Sequence, residues 1–290
     1  MQRTNQPPIA ASGTFTIGGD LTVYRLGFGT MRLTGPGIWG PPKNKDEAIA
    51  VLRRAVELGV NLLDTADSYG PEVAESLIAE ALYPYPPQLV IATKGGYLRP
   101  GPDQWKPDGR PEHLREALEG SLRRLRLERI DLYQFHVPDP NVPYGVSVRA
   151  LADMRAEGKI RHIGVSNVNR EQLEIARSIV PVVTVQNLYN LEDRSSEEMV
   201  NICERDGLGF IPWFPLATGD LARAGGKLSQ IAARHHATPG QIALAWLLQR
   251  SRVMLPIPGT SSVKHLEEDV AAAQIKLSDD EFRALDEGVS

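Results

Sequence analysis

The feature that most restricts the fold of this chain is a regular alternation of short apolar runs with segments of helical periodicity. Such alternation predicts a parallel sheet whose strands are joined by crossover helices. Eight runs have the character of strands: residues 26–30, 61–64, 90–94, 130–136, 160–165, 182–186, 209–212 and 253–256. Eight such units within 290 residues predict an α/β fold, a single (β/α)8 TIM barrel. Because no Pro/Gly/Ser-rich linker divides the chain, residues 1–290 are predicted to form one domain.

Two short alternating runs precede the first barrel strand. They cover residues 14–17 and 21–24 and flank the pair Gly18 and Gly19, which predicts an N-terminal β-hairpin. We expect this hairpin to close the N-terminal end of the barrel.

Capping residues mark the starts of several helices. Asn44 with Glu47 predicts a helix over residues 45–58 that ends before Gly59. The same type of signal recurs at four later positions, namely Asn169 with Gln172, Ser195 with Glu198, Thr238 with Gln241, and Ser278 with Glu281.

Composition excludes several classes of protein. The chain has 32 basic and 36 acidic residues, a net charge of −4, and no dominant basic run, which argues against nucleic-acid binding. We find neither a run of ~18 apolar residues nor a signal peptide, so a soluble, cytoplasmic protein without membrane contact is expected. One cysteine, Cys203, permits neither a disulfide framework nor a thiolate cluster and is predicted to be buried in a helix.

Four polar residues stand at or just beyond the ends of predicted strands. They are Asp64, Tyr69, Lys94 and His136, and parallel strands would bring them together at the C-terminal rim, where barrel enzymes carry their active sites. A lysine ammonium can stabilise a phenolate and lower its pKa, which makes tyrosine a usable proton donor. Asp64 would anchor the lysine, while His136 would orient a carbonyl or relay a proton.

Each of these residues also has a structural interpretation. Strand-terminal Asp and Lys side chains often form ion pairs, an isolated His is usually a satisfied polar group, and a Tyr near glycine often packs. A chance occurrence of all four at one rim is much less probable, so the catalytic interpretation is preferred. A barrel hydrolase that uses a metal is a weaker alternative, because no metal-ligand spacing is present and no metal is expected.

Six ordered motifs make the chain resemble an aldo-keto reductase over nearly its whole length. Residues 61–70 read NLLDTADSYG and residues 158–167 read GKIRHIGVSN. The remaining motifs are LGFGTM at 26–31, ATK at 92–94, VQN at 185–187 and IPGTSS at 257–262.

The resemblance implies NAD(P)H-dependent reduction of an aldehyde or ketone, with Tyr69 as general acid, Lys94 and Asp64 tuning it, and His136 orienting the carbonyl. It also implies a cofactor extended across the barrel mouth without a Gly-x-Gly-x-x-Gly fingerprint. The implied cofactor-binding residues are Gly29, Thr30, Met31, Asp64, Ser166, Asn167, Gln186, Trp213, Phe214, Pro215, Leu216, Pro258, Gly259, Thr260, Ser261, Lys264, His265, Glu268 and Asp269.

Two departures from the family pattern concern the cofactor. Trp213 stands where most relatives have the tyrosine that stacks on the nicotinamide, and indole can serve that role. At the adenosine end, His265 and Asp269 replace the usual arginine and asparagine, and Lys264 is the candidate for the missing charge. NADPH is the preferred cofactor, with NADH as the alternative, because the bidentate grip of arginine on the 2′-phosphate is lost.

Loop motifs resemble a narrower group, the bacterial pyridoxal reductases. They are GPGIWGPP at 35–42, YGPEV at 69–73, ALYPYP at 81–86 and WFPL at 213–216. Pyridoxal, reduced to pyridoxine, is therefore one candidate substrate, and the substrate wall is predicted to include Trp39, Tyr69, Trp105 and His136. The alternative from another class is a nucleotide-binding sensor or regulatory subunit without turnover. A small-molecule carbonyl partner and a monomer or small homo-oligomer are expected.

Overall fold

A seven-stranded parallel sheet forms the centre of the molecule. This computed structural model describes residues 6–216 and 226–287. The sheet strands are β3 Phe28–Gly29, β4 Leu62–Asp64, β5 Val90–Gly95, β8 Ile130–Phe135, β9 Ile160–Ser166, β10 Val182–Leu188 and β11 Gly209–Trp213. Their order is β11-β10-β9-β8-β5-β4-β3, so each strand lies beside the strand of this sheet that precedes it in the chain. This order and the parallel pairing agree with the predicted alternation.

Helices connect the strands and cover the outer face of the sheet. Their bounds are α1 Lys45–Glu57, α2 Val73–Leu82, α3 Pro111–Leu125, α4 Tyr144–Ala156, α5 Arg170–Ile179, α6 Glu197–Asp206, α7 Lys227–Arg234, α8 Pro239–Arg250, α9 Val263–Ala271 and α10 Asp279–Asp286. The main hydrophobic core lies between these helices and the sheet, and it includes Cys203 on α6 as predicted. Within the described residues, no helix combines the length and apolar character that crossing a bilayer requires.

The predicted N-terminal hairpin is present. Strands β1 Thr14–Ile17 and β2 Leu21–Tyr24 pair antiparallel. The side chains of Ile17 and Val23 are fully buried in a second apolar cluster with inward-facing strand residues such as Leu132. The hairpin therefore packs against the interior of the sheet.

The predicted eighth strand at 253–256 is not a regular strand. Within the described residues, this segment makes one isolated parallel bridge, between Met254 and Phe210 of β11. It still bonds to both edges of the sheet, because Phe210 N donates to Val253 O at 2.8 Å and Gly27 N donates to Pro256 O at 2.9 Å. Proline has no backbone N–H, so Pro256 cannot continue a hydrogen-bond ladder.

Most of the predicted caps are confirmed. Asn44 accepts from the Glu47 amide, and full capping boxes begin α5, α8 and α10. The prediction at Ser195 is wrong, because α6 begins at Glu197 after Ser196. The Ser195 hydroxyl instead bonds the carboxylate of Asp193 two residues earlier. The hydroxyl of a short polar side chain can form its hydrogen bond within a local turn instead of capping a helix.

A second hairpin, absent from the predicted elements, lies between β5 and α3. Strands β6 Tyr97–Gly101 and β7 Gln104–Pro107 pair antiparallel outside the main sheet. This hairpin stands over the C-terminal rim and carries Trp105, a residue of the predicted substrate wall.

Candidate active site

The parallel sheet brings the predicted catalytic residues to one rim. Asp64 is the last residue of β4, Lys94 lies next to the end of β5, and His136 directly follows β8. Tyr69 occupies the loop after β4, and its side chain is 7 % exposed. All four therefore lie at the carboxyl ends of neighbouring strands, as predicted.

The ammonium group of Lys94 joins the phenol to the carboxylate. Its Nζ donates to Asp64 Oδ1 at 2.5 Å, to Thr65 O at 2.8 Å and to the Tyr69 hydroxyl at 3.3 Å. Lys94 is completely buried, and Asp64 is 1 % exposed. Three acceptors use all three donors of the ammonium, so its position is fixed.

Two amides hold the other oxygen of Asp64. The side-chain Nε2 atoms of Gln134 and Gln186 donate to Asp64 Oδ2 at 3.0 and 2.9 Å. The family resemblance implies a cofactor contact for Gln186 and no role for Gln134. A buried glutamine in an otherwise apolar strand was the available signal, because a buried amide must find hydrogen-bond partners. These bonds keep the carboxylate oriented toward Lys94.

His136 lies against the phenol ring. The ring centroids of His136 and Tyr69 are 5.9 Å apart with an interplanar angle of 80°. Its Nδ1 lies 3.4 Å from the Ser68 hydroxyl, and its carbonyl accepts from Asn167 Nδ2 at 3.0 Å. The imidazole and the phenol therefore border the same cavity, each on a different side.

Burial and neighbouring charges define the protonation states of the site. Burial raises the pKa of Tyr69 above its usual value, and this effect outweighs the opposing charge of Lys94. Lys94 acts in the expected direction, because its charge and its hydrogen bond both lower the phenol pKa, but burial and the charge of Asp64 outweigh it. For Lys94, burial favours the neutral amine, but Asp64 and Tyr69 overcome it and raise the pKa. The site holds a protonated phenol beside an ammonium.

His136 should stay neutral in mildly acidic solution. Burial, Lys94 and Arg99 all lower its pKa, which lies well below the usual value. Since the unfolded chain binds this proton at about pH 6.5, the folded state loses stability as the pH falls below that value. An NMR titration of labelled histidine, assigned with a His136→Gln variant, should show no ring protonation near pH 6.5. A midpoint near 6.5 would contradict the buried, cation-flanked environment.

A cavity of about 1160 Å³ opens over this group. Its volume exceeds that of most small-molecule pockets, so it has room for an extended ligand together with a small substrate. Predicted residues that line it are Gly29, Thr30, Met31, Asp64, Tyr69, Trp105, His136, Ser166, Asn167, Gln186, Trp213, Phe214, Pro215, Leu216, Pro258, Gly259, Thr260 and Ser261. Further lining residues, for which no role was predicted, include Arg32, Lys43, Asn44, Tyr97 and Asp103.

The backbone at one wall of the cavity is tightly packed. A Cβ atom at Gly259 would lie 2.5 Å from the Gly29 carbonyl oxygen, and one at Gly29 would lie 2.7 Å from the Ile257 oxygen. Any side chain there would displace main-chain atoms, so glycine is required at both positions. This wall presents polypeptide backbone to the cavity.

A hydrogen bond joins the side chains of Trp213 and Asn167, which both line the cavity. Its indole Nε1 donates to Asn167 Oδ1 at 3.0 Å, and Asn167 Nδ2 also lies 3.2 Å from the Ser166 hydroxyl. Asn167 has a φ of 57°, a left-handed conformation that asparagine tolerates. The structure thus brings together three of the residues predicted to bind the cofactor.

Four residues assigned to the adenosine end do not reach the cavity wall. They are Lys264, His265, Glu268 and Asp269. The buried side of α9 is formed by Leu266 and Val270, whereas Lys264 is exposed and pairs with Glu268 at 3.8 Å. The backbone N–H of Val263, the first residue of α9, donates to Glu47 Oε1 at 3.1 Å, so a carboxylate of the chain itself already occupies this helix end. Helical geometry therefore turns the proposed charge of Lys264 toward solvent.

Trp39 is also absent from the cavity wall. Its ring centroid lies 5.8 Å from the Arg99 guanidinium carbon, and its backbone bridges to Gly70. Tyr97 and Trp105 line the cavity instead, and a contact of Trp39 with the substrate stays a prediction.

A profile of the aldo/keto reductase family matches residues 25–289. The chain belongs to this family. This chain is 52 % identical over 276 residues to an uncharacterized oxidoreductase of Schizosaccharomyces pombe. The match covers 95 % of this chain and 90 % of that protein. It is 45 % identical over 286 residues to pyridoxine 4-dehydrogenase of Escherichia coli, covering 97 % and 99 % of the two chains.

Solved structures of aldo/keto reductases share its fold. The glycerol dehydrogenase of Gluconobacter oxydans superposes with a TM-score of 0.87 at 28 % identity, covering 96 % of this chain and 95 % of that one. An aldo-keto reductase of Klebsiella pneumoniae in complex with NADPH has a TM-score of 0.80 at 27 % identity and covers 94 % of both chains. Family membership makes the present aldo/keto reductase an NAD(P)H-dependent oxidoreductase, as predicted.

Proposed function

We propose that the chain reduces an aldehyde or ketone with NADPH and that Tyr69 donates the proton. The observation that carries this proposal is the buried bond from Lys94 to the Tyr69 hydroxyl at the cavity wall. A protonated phenol supplies the proton, and the adjacent ammonium stabilises the phenolate that remains. When bound, the nicotinamide cofactor supplies the hydride.

The residues that line the cavity fit a nicotinamide dinucleotide. The indole of Trp213 offers a flat apolar surface for stacking. Ser166, Asn167 and Gln186 offer hydroxyl and amide groups suited to a carboxamide. The bare backbone at Gly29 and Gly259 leaves room where a side chain would fill the groove.

We assign His136 to orientation of the substrate carbonyl. As a neutral imidazole it can donate one hydrogen bond to the carbonyl oxygen while Tyr69 donates another. Two donors at this oxygen would stabilise the negative charge that develops on it.

Two cations on the cavity wall replace Lys264 as candidates for the cofactor phosphates. Both residues line the cavity. Arg32 lies in the turn after β3, close to Gly259, and Lys43 lies in the segment just before α1. We assign Arg32 to the pyrophosphate and Lys43 to the 2′-phosphate. NADH, which lacks the 2′-phosphate, would use Arg32 alone.

Exchange of Lys43 for methionine should weaken NADPH binding by roughly tenfold, the effect of losing one charge-assisted hydrogen bond. NADH binding should stay unchanged, since NADH has no phosphate for Lys43 to contact. Fluorescence titration of both cofactors checks this, with Lys264→Met as the control that should change neither affinity. Equal weakening of NADPH and NADH would contradict the assignment of Lys43.

Pyridoxal is the substrate that we propose. Support comes from the 45 % identity to the pyridoxine 4-dehydrogenase of E. coli over nearly the full chain. The aromatic side of the cavity, formed by Tyr97 and Trp105, suits a flat ring. Glycerol dehydrogenase shares the fold at lower identity, so small aliphatic carbonyl compounds are the second class to test.

The proposed function is tested by following the loss of NADPH absorbance with pyridoxal, glyceraldehyde and 4-nitrobenzaldehyde. We expect turnover with all three and the highest kcat/KM with pyridoxal. Reduction of the other aldehydes without pyridoxal reduction would remove the substrate assignment. Tight binding of NADPH with no turnover on any of them would instead favour the sensor subunit.

We further propose that residues 253–258 take the place of the eighth strand and close the barrel, since they bond to both β11 and the segment before β3. A single domain over residues 1–290, and a monomer or small homo-oligomer in the cytoplasm, remain predictions from the sequence.

A further inference from the structure

The buried guanidinium of Arg99 ties three separate segments together beside the phenol. Arg99 lies in β6, and its Nε donates to Gln104 O at 2.8 Å within the same hairpin. Its Nη1 donates to Ser68 O at 2.8 Å in the loop after β4, and its Nη2 donates to Gly37 O at 2.9 Å in the loop after β3. One side chain therefore links all three segments through their main-chain carbonyls.

Two indole rings flank the same guanidinium. Its central carbon lies 3.7 Å from the Trp105 ring centroid and 5.8 Å from that of Trp39. Arg99 is 9 % exposed, and no carboxylate in the described parts of the chain, 6–216 and 226–287, forms an ion pair with it. Desolvation of a cation is unfavourable, and here neutral carbonyls and an aromatic face hold the guanidinium by direct contact, while the charge of Asp103 favours it without forming an ion pair.

The residues that Arg99 contacts are chain neighbours of two residues that line the candidate active site. Ser68 precedes Tyr69 in the chain, and Gln104 precedes Trp105. The Trp105 ring meets the rings of Tyr69 and His136 edge-on, with centroids 6.4 Å away in both cases. Movement of Arg99 would release both the loop that carries the phenol and the aromatic wall that faces it.

We propose that Arg99 is a positioning residue that sets the distance between the Tyr69 phenol and the Trp105 wall for a bound carbonyl substrate. This inference rests on the proposed function, since it assigns Tyr69 the proton-transfer role. The planar fork of arginine reaches three carbonyls while stacking on an indole, and the single ammonium of lysine cannot reproduce that geometry. A displacement of about 1 Å at a reacting group can reduce the rate by roughly 10²-fold.

Four variants, one of them used for chemical rescue, separate positioning from folding. Arg99→Met and Arg99→Lys remove the fork, and Arg194→Met is the matched control. Arg194 also stacks on a tryptophan, Trp246, at 4.2 Å, but it lies in the loop between β10 and α6 and does not line the cavity. We measure kcat and KM for an aldehyde, the Kd of NADPH, and the thermal midpoint of unfolding.

We expect both Arg99 variants to lose at least about tenfold in kcat/KM for the aldehyde, with the Kd of NADPH within about threefold of wild type. Arg194→Met should lower the thermal midpoint but keep the kinetic constants. An Arg99→Ala variant should regain part of its lost kcat when guanidinium ion is added at millimolar concentration. Methylammonium should give no rescue, because it lacks the planar fork.

Wild-type kinetics in Arg99→Met would overturn the inference. So would a loss of kcat/KM in Arg99→Met that matches the loss in Arg194→Met at equal thermal destabilisation. Hydrogen exchange provides a readout without turnover: segments 35–40, 66–72 and 101–107 should exchange faster in Arg99→Met and not in Arg194→Met. A wild-type enzyme inert toward every carbonyl compound would defeat the proposed function, whereas unchanged exchange in these segments would defeat the positioning role.

Discussion

Replacing Tyr69 with phenylalanine should reduce turnover of the aldehyde by at least about 10²-fold, the lower range of what general acid catalysis contributes. The change removes only the hydroxyl that accepts from Lys94 Nζ at 3.3 Å. The ring itself remains packed against His136 and Trp105, so the Kd of NADPH should stay nearly constant. Steady-state kinetics with a fluorescence titration of NADPH checks both quantities.

The control for this experiment is Tyr97→Phe. Tyr97 also lines the cavity, and its ring lies 4.7 Å from that of His136. Unlike Tyr69, it makes no hydrogen bond to Lys94, so its variant should keep most of the turnover and change mainly KM. Full activity in Tyr69→Phe, or equal losses in the two variants, would mean that another group donates the proton.

The second large effect is expected for Lys94→Met. Loss of the ammonium removes the charge that stabilises the phenolate, so turnover should again fall by at least about 10²-fold. It also leaves Asp64 buried at 1 % exposure without its cation. Breaking a buried ion pair by removing one partner typically lowers the free energy of unfolding by about 3–5 kcal/mol. Kinetics and urea denaturation measure the two effects separately.

A double variant distinguishes the catalytic effect of Lys94 from its structural effect. Lys94→Met with Asp64→Asn removes both charges, so much of the lost stability should return. Activity should remain low, because the phenolate still has no cation beside it. Recovery of turnover together with stability would show that Lys94 acts only by supporting the fold.

The order of the barrel strands could be predicted because each strand is a separate apolar run. The four rim residues followed from that order, since parallel strands place their carboxyl ends together. The predicted contact of Lys94 with both Asp64 and Tyr69 is present at hydrogen-bond distance. Local periodicity and topology were sufficient for these features.

Features that depend on packing between distant segments could not be predicted. The segment at 253–256 has the composition of a strand, but Pro256 interrupts its ladder, and its bonds depend on Phe210 and Gly27. The outward direction of Lys264 follows from which face of α9 is buried. The raised pKa of Tyr69 depends on the balance between burial and charge, which a sequence does not contain.

The contacts of Arg99 could not be predicted from the sequence either. A lone arginine in a Pro/Gly-rich segment carries no signal in the sequence. Its role appears only when the β6–β7 hairpin folds over the rim and brings Ser68 and Gly37 within 2.9 Å of its nitrogen atoms. Long-range contacts of this type link segments whose spacing has no characteristic pattern.

A crystal structure of the ternary complex with NADP⁺ and a carbonyl compound tests the central claim most directly. We predict that the carbonyl oxygen lies within hydrogen-bonding distance, about 2.6–3.2 Å, of both the Tyr69 hydroxyl and a His136 ring nitrogen. The nicotinamide should stack on Trp213 with its reactive carbon facing the carbonyl carbon. A carbonyl oxygen bound by other groups, or a nicotinamide located away from Tyr69, would contradict the account.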